Sequence, residues 1–266
     1  MFKGFYTAAS GMIAQQRRTE ILTNNMSNVN TPGYKADQTS MRAFPEMLLK
    51  RIDETSIPVE NKLNLPFEPV VGTLNTGVYV QETIPNFRQG DIRETGLSTD
   101  LALQGESVFF TVQNTVNETR YTRNGNFTLD PEGYLTTASG LYVQDIEGER
   151  IQLTTDQFMV DGEGRITENG TDIGQIGVAY AEDPNALIKE GDGLYRIDGP
   201  ALPTAFGADG AVFSVQQSFL EGSTTDTART MTDMLTAYRA FEANQKVLTA
   251  YDRSMEKAAN EIGRVT

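Results

Sequence analysis

Cysteine, histidine and tryptophan are absent from all 266 residues. Without cysteine there is no disulfide framework, thiol nucleophile or thiolate metal ligand. Without histidine, the Ser-His and Cys-His nucleophile systems and imidazole-bound zinc go as well. Most enzyme classes fall with those two residues, so no catalytic residue, no metal site and no cofactor is expected. Long apolar runs are missing too. None approaches the ~20 residues of a spanning helix, so direct membrane insertion is not expected. The opening stretch, Met1 to Gln16, is interrupted by Thr7, Ser10, Gln15 and Gln16, and no small-residue cleavage site follows. It does not read as a secretory signal, and these signals alone read as cytosolic.

Positive charge is scarce, 22 Lys/Arg against 36 Asp/Glu, and unevenly spread. Residues 1–50 hold 6 Lys/Arg and 3 Asp/Glu, and 227–266 hold 6 and 5, which leaves 51–226 with 10 against 28, a net −18. An acidic centre repels nucleic acid and anionic lipid, and keeps the chain soluble while its near-neutral ends associate.

What is present is a matched pair of heptad patterns. Phe5, Ala8, Met12, Gln15, Thr19, Leu22, Met26 and Val29 alternate spacings of three and four. Met231, Met234, Tyr238, Phe241, Gln245, Leu248, Met255, Ala259 and Ile262 do the same at the other end, with Asp252 filling one position. Such a stripe requires a partner helix. The pair could close as an intramolecular hairpin or serve assembly between copies. Gln15, Thr19, Gln245 and Asp252 favour assembly, because polar seam residues cost stability while selecting register and partner. The ends are therefore expected to fray in the isolated chain.

The first helix is expected from about Lys3 to Ser27, ended by an Asn-rich run and the Thr31-Pro32-Gly33 bend. The last is expected to start near Thr225 or Asp226, capped by Asp226 or Thr227, and to reach about Ile262, a length of ~55 Å at ~1.5 Å per residue. Pro45 suits a first helical position, which predicts a short helix through Ile52; Pro58, Pro66 and Pro69 then favour extended chain. Candidate strands are 78–84, 107–113, 119–123, 126–129, 141–144, 173–180 and 194–197. Asn124-Gly125 and Asn169-Gly170 are hairpin signals, and Asp130-Pro-Glu-Gly133 and Asp161-Gly-Glu-Gly164 are turns. The fold class is α+β: N- and C-terminal helices paired as a coiled coil, with an all-β domain inserted between them. Its parts are 1–34 with 225–266 as a discontinuous helical assembly domain, 35–71 as a connector, and 72–224 as an all-β outer domain.

Ser254-Met-Glu-Lys257 matches a penicillin-binding nucleophile motif, but its companion Lys-Thr-Gly is missing and it lies on the heptad helix, so coincidence is the better reading. Asp161-Gly-Glu-Gly164 lacks the spacing of a calcium loop. Abundant carboxylates leave open a secreted carbohydrate-binding or peptidoglycan-acting β-domain as the alternative function.

Three stretches carry a family resemblance. Leu22-Thr-Asn-Asn-Met-Ser-Asn-Val-Asn-Thr-Pro-Gly-Tyr-Lys35 resembles the N-terminal signature of bacterial flagellar rod and hook proteins. Asp100-Leu-Ala-Leu-Gln-Gly105, Phe109-Phe110, Tyr121-Thr-Arg-Asn-Gly-Asn-Phe127, Gly133-Tyr-Leu135 and Ser139-Gly140 are similar to the family's β-domain. Met231-Thr-Asp-Met-Leu-Thr-Ala-Tyr-Arg239, with Asn244 and Lys246, resembles its closing helix. The group most resembled is the proximal and distal rod proteins, although Thr224-Thr225 stand where that family usually has Asn-Val. The resemblance implies a non-enzymatic subunit of the flagellar basal-body rod, polymerising through its terminal helices into the axial drive shaft. Its implied partners are copies of itself, other rod and hook subunits, and the flagellar export apparatus, with no nucleic acid. It implies export to the basal body without a cleaved signal. The implied interface comprises Phe5, Met12, Leu22, Asn25, Met26, Asn28, Val29, Met231, Met234, Tyr238, Phe241, Leu248 and Met255.

Overall fold

The computed structural model describes residues 3–50, 53–56, 64–67, 70–114, 118–208 and 210–262. Contacts divide the chain into two compact units, one of Met1–Thr23, Thr39–Thr83 and Met231–Thr266, the other of Asn24–Gln38 and Ile84–Thr230. Two helices bracket the chain, α1 over Lys3–Ser27 and α2 over Thr227–Ile262. Everything regular between them among the described residues is strand, apart from one 3₁₀ turn at Pro184–Ala186.

In the first unit, α1 and α2 run antiparallel. A Cβ added to Gly4 would collide with the Tyr251 hydroxyl, and one at Gly11 would lie 2.9 Å from the Asn244 amide nitrogen. Arg18 reaches Asp233 at 3.8 Å, and the Thr23 hydroxyl reaches the Met234 sulfur at 3.7 Å. The partners of Gly4, Gly11 and Arg18 thus descend along α2, from Tyr251 through Asn244 to Asp233. The same unit contains nested antiparallel pairs: β1 (Asp37–Ala43) with β6 (Val78–Pro85), β2 (Met47–Lys50) with β5 (Val70–Leu74), and β3 (Asp53–Ser56) with β4 (Asn64–Phe67). The short helix expected from Pro45 is therefore corrected to strand β2. A helix of eight residues is marginal alone, whereas pairing Met47 with Leu74 and Leu48 with Thr73 satisfies the backbone at once. Arg51, Ile52, Pro58 and Pro69 lie outside the described residues.

The second unit is the β-domain. Its strands in chain order are β7 (Ile92–Glu94), β8 (Leu101–Gln104), β9 (Val108–Gln113), β10 (Thr119–Thr122), β11 (Phe127–Leu129), β12 (Leu135–Thr137), β13 (Tyr142–Val143), β14 (Phe158–Val160), β15 (Arg165–Glu168), β16 (Thr171–Gln175), β17 (Val178–Tyr180), β18 (Leu187–Gly191), β19 (Leu194–Ile197), β20 (Ser214–Gln217) and β21 (Phe219–Glu221). An eight-stranded sheet is ordered β11-β12-β13-β9-β10-β19-β18, with β17 also on β9. Beside it lie β14-β15-β16 and the pairs β20-β8 and β21-β7. Strand β9 is buried at nearly every position because it pairs on both edges, and Phe110 meets Phe127 edge-on at 5.1 Å.

Turn chemistry explains both agreement and error. Asn169 and Gly170 take φ of 51° and 80°, the type I′ hairpin expected, and join β15 to β16. Asn124-Gly125 is not a hairpin: β10 and β11 do not pair with each other. Asn124 instead accepts the Asn126 N–H at 3.0 Å, and a Cβ on Gly125 would strike the Leu101 carbonyl. The expected strand 173–180 is broken between β16 and β17, where Ile176 and Gly177 turn aside to bond Gly164 and Gln144. Three Asp-x-Glu-Gly turns share one geometry. Asp130, Asp145 and Asp161 each accept backbone N–H groups two and four residues ahead, and each is followed by a left-handed glycine.

Replacing fully buried Phe110 by Ala should cost the β-domain about 3–5 kcal/mol in urea denaturation. Met159→Ala, at a side chain 75% exposed, should stay within about 0.5 kcal/mol. Equal losses at the two positions would contradict this account of the core.

Candidate assembly interface

Both helices keep large apolar side chains exposed, Tyr6 and Ile13 on α1 and Met231, Leu235, Tyr238, Val247 and Met255 on α2. Along α2 the half-buried or buried positions include Met234, Ala237, Phe241, Asn244, Leu248 and Tyr251, again at alternating steps of three and four, with Thr230, Asp233, Ala240 and Glu242 beside them. Small residues on α1, Gly4, Ala8 and Gly11, give the close approach. Met234, Phe241 and Leu248 belong to both this stripe and the heptad read from the sequence. The other members of that heptad point outward: Met231 and Tyr238 are each 54% exposed and Gln245 is exposed, and Leu235 at 49% joins them. Counting apolar residues overlooked Ala237, Asn244 and the glycines opposite, which is why the phase closed within the chain is displaced by one position.

The remaining expected residues divide similarly. Phe5, Met12 and Leu22 on α1 are half-buried. Gln15 is half-buried, and its side-chain oxygen is sealed from solvent without a hydrogen bond. Met255 is exposed. The side chain of Ile262 lies outside the described residues.

The Asn-rich run belongs to the second unit and is largely occupied there. Asn25 is buried: its amide donates to the Asp37 carbonyl at 2.8 Å and accepts the Asp37 N–H at 2.9 Å. Tyr34 bonds the side chains of both Asn24 and Asn25, at 2.8 and 3.0 Å. Asn28 donates back to the Asn24 carbonyl at 2.9 Å, while Met26 and Val29 are half-buried. The Asn25 amide is thus not free to bridge a neighbour.

A buried ion cluster below this clamp escaped the sequence reading. Lys35 donates to Glu221 at 2.6 Å and to the Arg88 carbonyl at 2.6 Å. The Glu221 oxygen that holds Lys35 also accepts the Gly90 N–H at 2.8 Å. Its other oxygen lies 3.6 Å from the Arg123 guanidinium. Arg123 donates to the Gly105 carbonyl at 2.6 Å and covers the Phe109 ring. All three ions are at most 2% exposed. Gly33 donates to the Glu221 carbonyl, Thr224 to that of Tyr34, and the Thr224 hydroxyl accepts the Ala36 N–H. The chain's departure from the usual Asn-Val thus retains a side-chain acceptor at 224. The available signal was that Lys35 and Arg123 stand inside the quoted motifs and Glu221 in the junction before α2. Charged residues are almost never fully buried unless paired.

Burial, reinforced by the like charge of Arg123, pushes the Lys35 ammonium down to about 8 from 10.5. Burial also holds Arg123 below its ordinary range and raises the Tyr34 and Tyr195 phenols above theirs. Between about pH 8 and 10 the unfolded chain therefore binds more protons at residue 35, and stability rises with pH. Above about 10 the two phenols keep protons that the unfolded chain loses, and the slope reverses. Chemical denaturation of the β-domain should show that rise, and Lys35→Met should abolish it. Glu221→Ala, leaving two buried cations unpaired, should cost about 3–5 kcal/mol at pH 7. A flat profile in the unmodified chain, or a negligible cost at Glu221, would contradict the cluster's role.

No group of three or more carboxylates able to hold a metal occurs among the described residues, nor does any helix long and apolar enough to cross a membrane. Three family models match: the flagella basal body rod protein model over residues 5–35, the flagellar hook protein FlgE/F/G D1 domain over 102–171, and the flagellar basal body rod FlgEFG protein C-terminal model over 216–261. The chain is 44% identical over 278 aligned positions to the flagellar hook-basal body complex protein FlhO of Bacillus subtilis, covering all of both chains. It is 30% identical to the flagellar basal-body rod protein FlgG of the same organism, over 98% of this chain and 99% of that one. It is also 30% identical to FlgF of Caulobacter vibrioides over the whole of both. By motif order, terminal helices and full-length similarity alike, the chain belongs to the flagellar basal-body rod protein family.

Proposed function

We propose that the chain is a structural, non-enzymatic subunit of the bacterial flagellar basal-body rod, and that it polymerises through its terminal helices in coiled-coil fashion. The observation that supports this most directly is the second apolar stripe of α2, Met231, Leu235 and Tyr238, left exposed after α1 has been accommodated. An apolar helix face needs cover, and copies of the same chain or other rod and hook subunits supply it. In this reading Met234, Phe241 and Leu248 close the pair within a copy, while Met231, Tyr238 and Met255 look toward neighbours. Phe5, Met12 and Leu22 on α1 contribute to assembly from the first unit, and Met26, Asn28 and Val29 from the second. The subunit reaches the basal body by the flagellar export apparatus. Its ends order fully only on assembly. No observation favours the carbohydrate-acting alternative.

Introducing Leu235→Asp together with Tyr238→Asp should abolish incorporation into basal bodies, read by immunoblot of the isolated structures. The β-domain should keep its urea midpoint, since neither residue belongs to its core. Normal incorporation of the double variant would contradict assembly through this stripe.

A further inference from the structure

The first unit carries a concave surface as well as a convex one. A groove of about 400 Å³ lies along the side of α1 beside β1 and β6. Ile13, Ala14, Phe44 and Tyr79 supply its apolar lining, and Arg17 and Glu82 its charges. Ile13 is 63% exposed and Phe44 38%, so the groove is open and apolar. Ser10, on its inner wall, is tied to the hairpin by the Val78 N–H, and Thr7 by the Thr76 carbonyl, which fixes the helix against the strands. The α1 residues that meet α2 of the same copy include Gly4, Gly11, Arg18 and Thr23, on a different face of the helix from Ile13 and Arg17. Among the described residues, stripe and groove both keep large apolar side chains exposed within one copy.

They are also complementary. The α2 stripe presents Met231, Leu235 and Tyr238, flanked by Arg239 and Glu242, one cation and one anion a single turn apart. The groove presents one anion and one cation, Glu82 and Arg17. Arg17 lies 3.4 Å from Glu20, an exposed pair of the kind that contributes little and is readily exchanged. Because stripe and groove are different surfaces, joining one to the other is heterologous, the class of contact that an open helical polymer requires.

We infer that the groove between α1 and the β1–β6 pair receives the Met231-Leu235-Tyr238 stripe of the next copy, with Arg17 facing Glu242. This rests on the rod-subunit reading and specifies which surfaces meet. The absence of native cysteine makes it directly testable. Ile13→Cys and Tyr238→Cys would be the only thiols of this chain, and a short bismaleimide would be applied to isolated basal bodies, with the products read by immunoblot for this chain. The double variant should give a ladder of linked copies on a denaturing gel, and either single variant only monomer. An incorporated double variant that stays monomeric, or single variants that cross-link, would overturn the contact alone. Absence of even the unmodified chain from basal bodies would remove the rod reading and the contact with it. Arg17→Glu and Glu242→Arg provide a second measurement should the thiol pair disturb folding. Each alone should lower incorporation about tenfold, and together they should restore it to within about threefold. Unaffected single variants, or no rescue in the pair, would also overturn the contact.

Discussion

A helix of 36 residues with apolar side chains around a wide arc cannot be satisfied by a 25-residue partner that touches one side of it. That constraint governs the rest of the molecule. The antiparallel partner α1 takes the face containing Ala237, Asn244 and Tyr251, and it can come close because Gly4 and Gly11 present no side chain. What remains, Met231, Leu235 and Tyr238 on one flank, stays about half exposed, and most of α2 beyond Tyr251 is exposed as well.

The β-domain solves the opposite problem. It has a buried apolar core around β9, and tight turns whose Asp side chains cap their own backbones. Its charged centre, Glu221 between Lys35 and Arg123, stabilises little by itself, since desolvating three ions offsets much of their attraction. Its effect is positional. Glu221 joins the segment that follows α1 to the strand that precedes α2, and Arg123 locks both to the sheet. The roots of two helices far apart in sequence are thereby fastened in one place within the second unit.

Much of this was legible in the residues. The ends of α1 and the Asp226 cap of α2 follow from local backbone chemistry: Asp226 accepts the N–H groups of Ala228 and Arg229 at 3.0 and 3.1 Å. The left-handed pair Asn169-Gly170 is equally local. The errors are long-range. Met47–Lys50 looks helical until Val70–Leu74 pairs with it, and Asn124-Gly125 looks like a hairpin until Leu101 crosses above it. The buried triad could not be found by spacing at all, because its members are separated by most of the chain. The heptad period was right, but period alone does not say which of two adjacent phases faces inward when the deciding residues are glycine, alanine and asparagine.

The central claim is that the terminal helices are completed by neighbours rather than within one copy. Amide hydrogen exchange compares the two states directly. In the isolated chain, amides over 5–29 and 231–262 should exchange far faster than those of β9 and β10, and in assembled rods both sets should be protected. Strong protection of the two helices in the isolated chain, unchanged on assembly, would contradict the account.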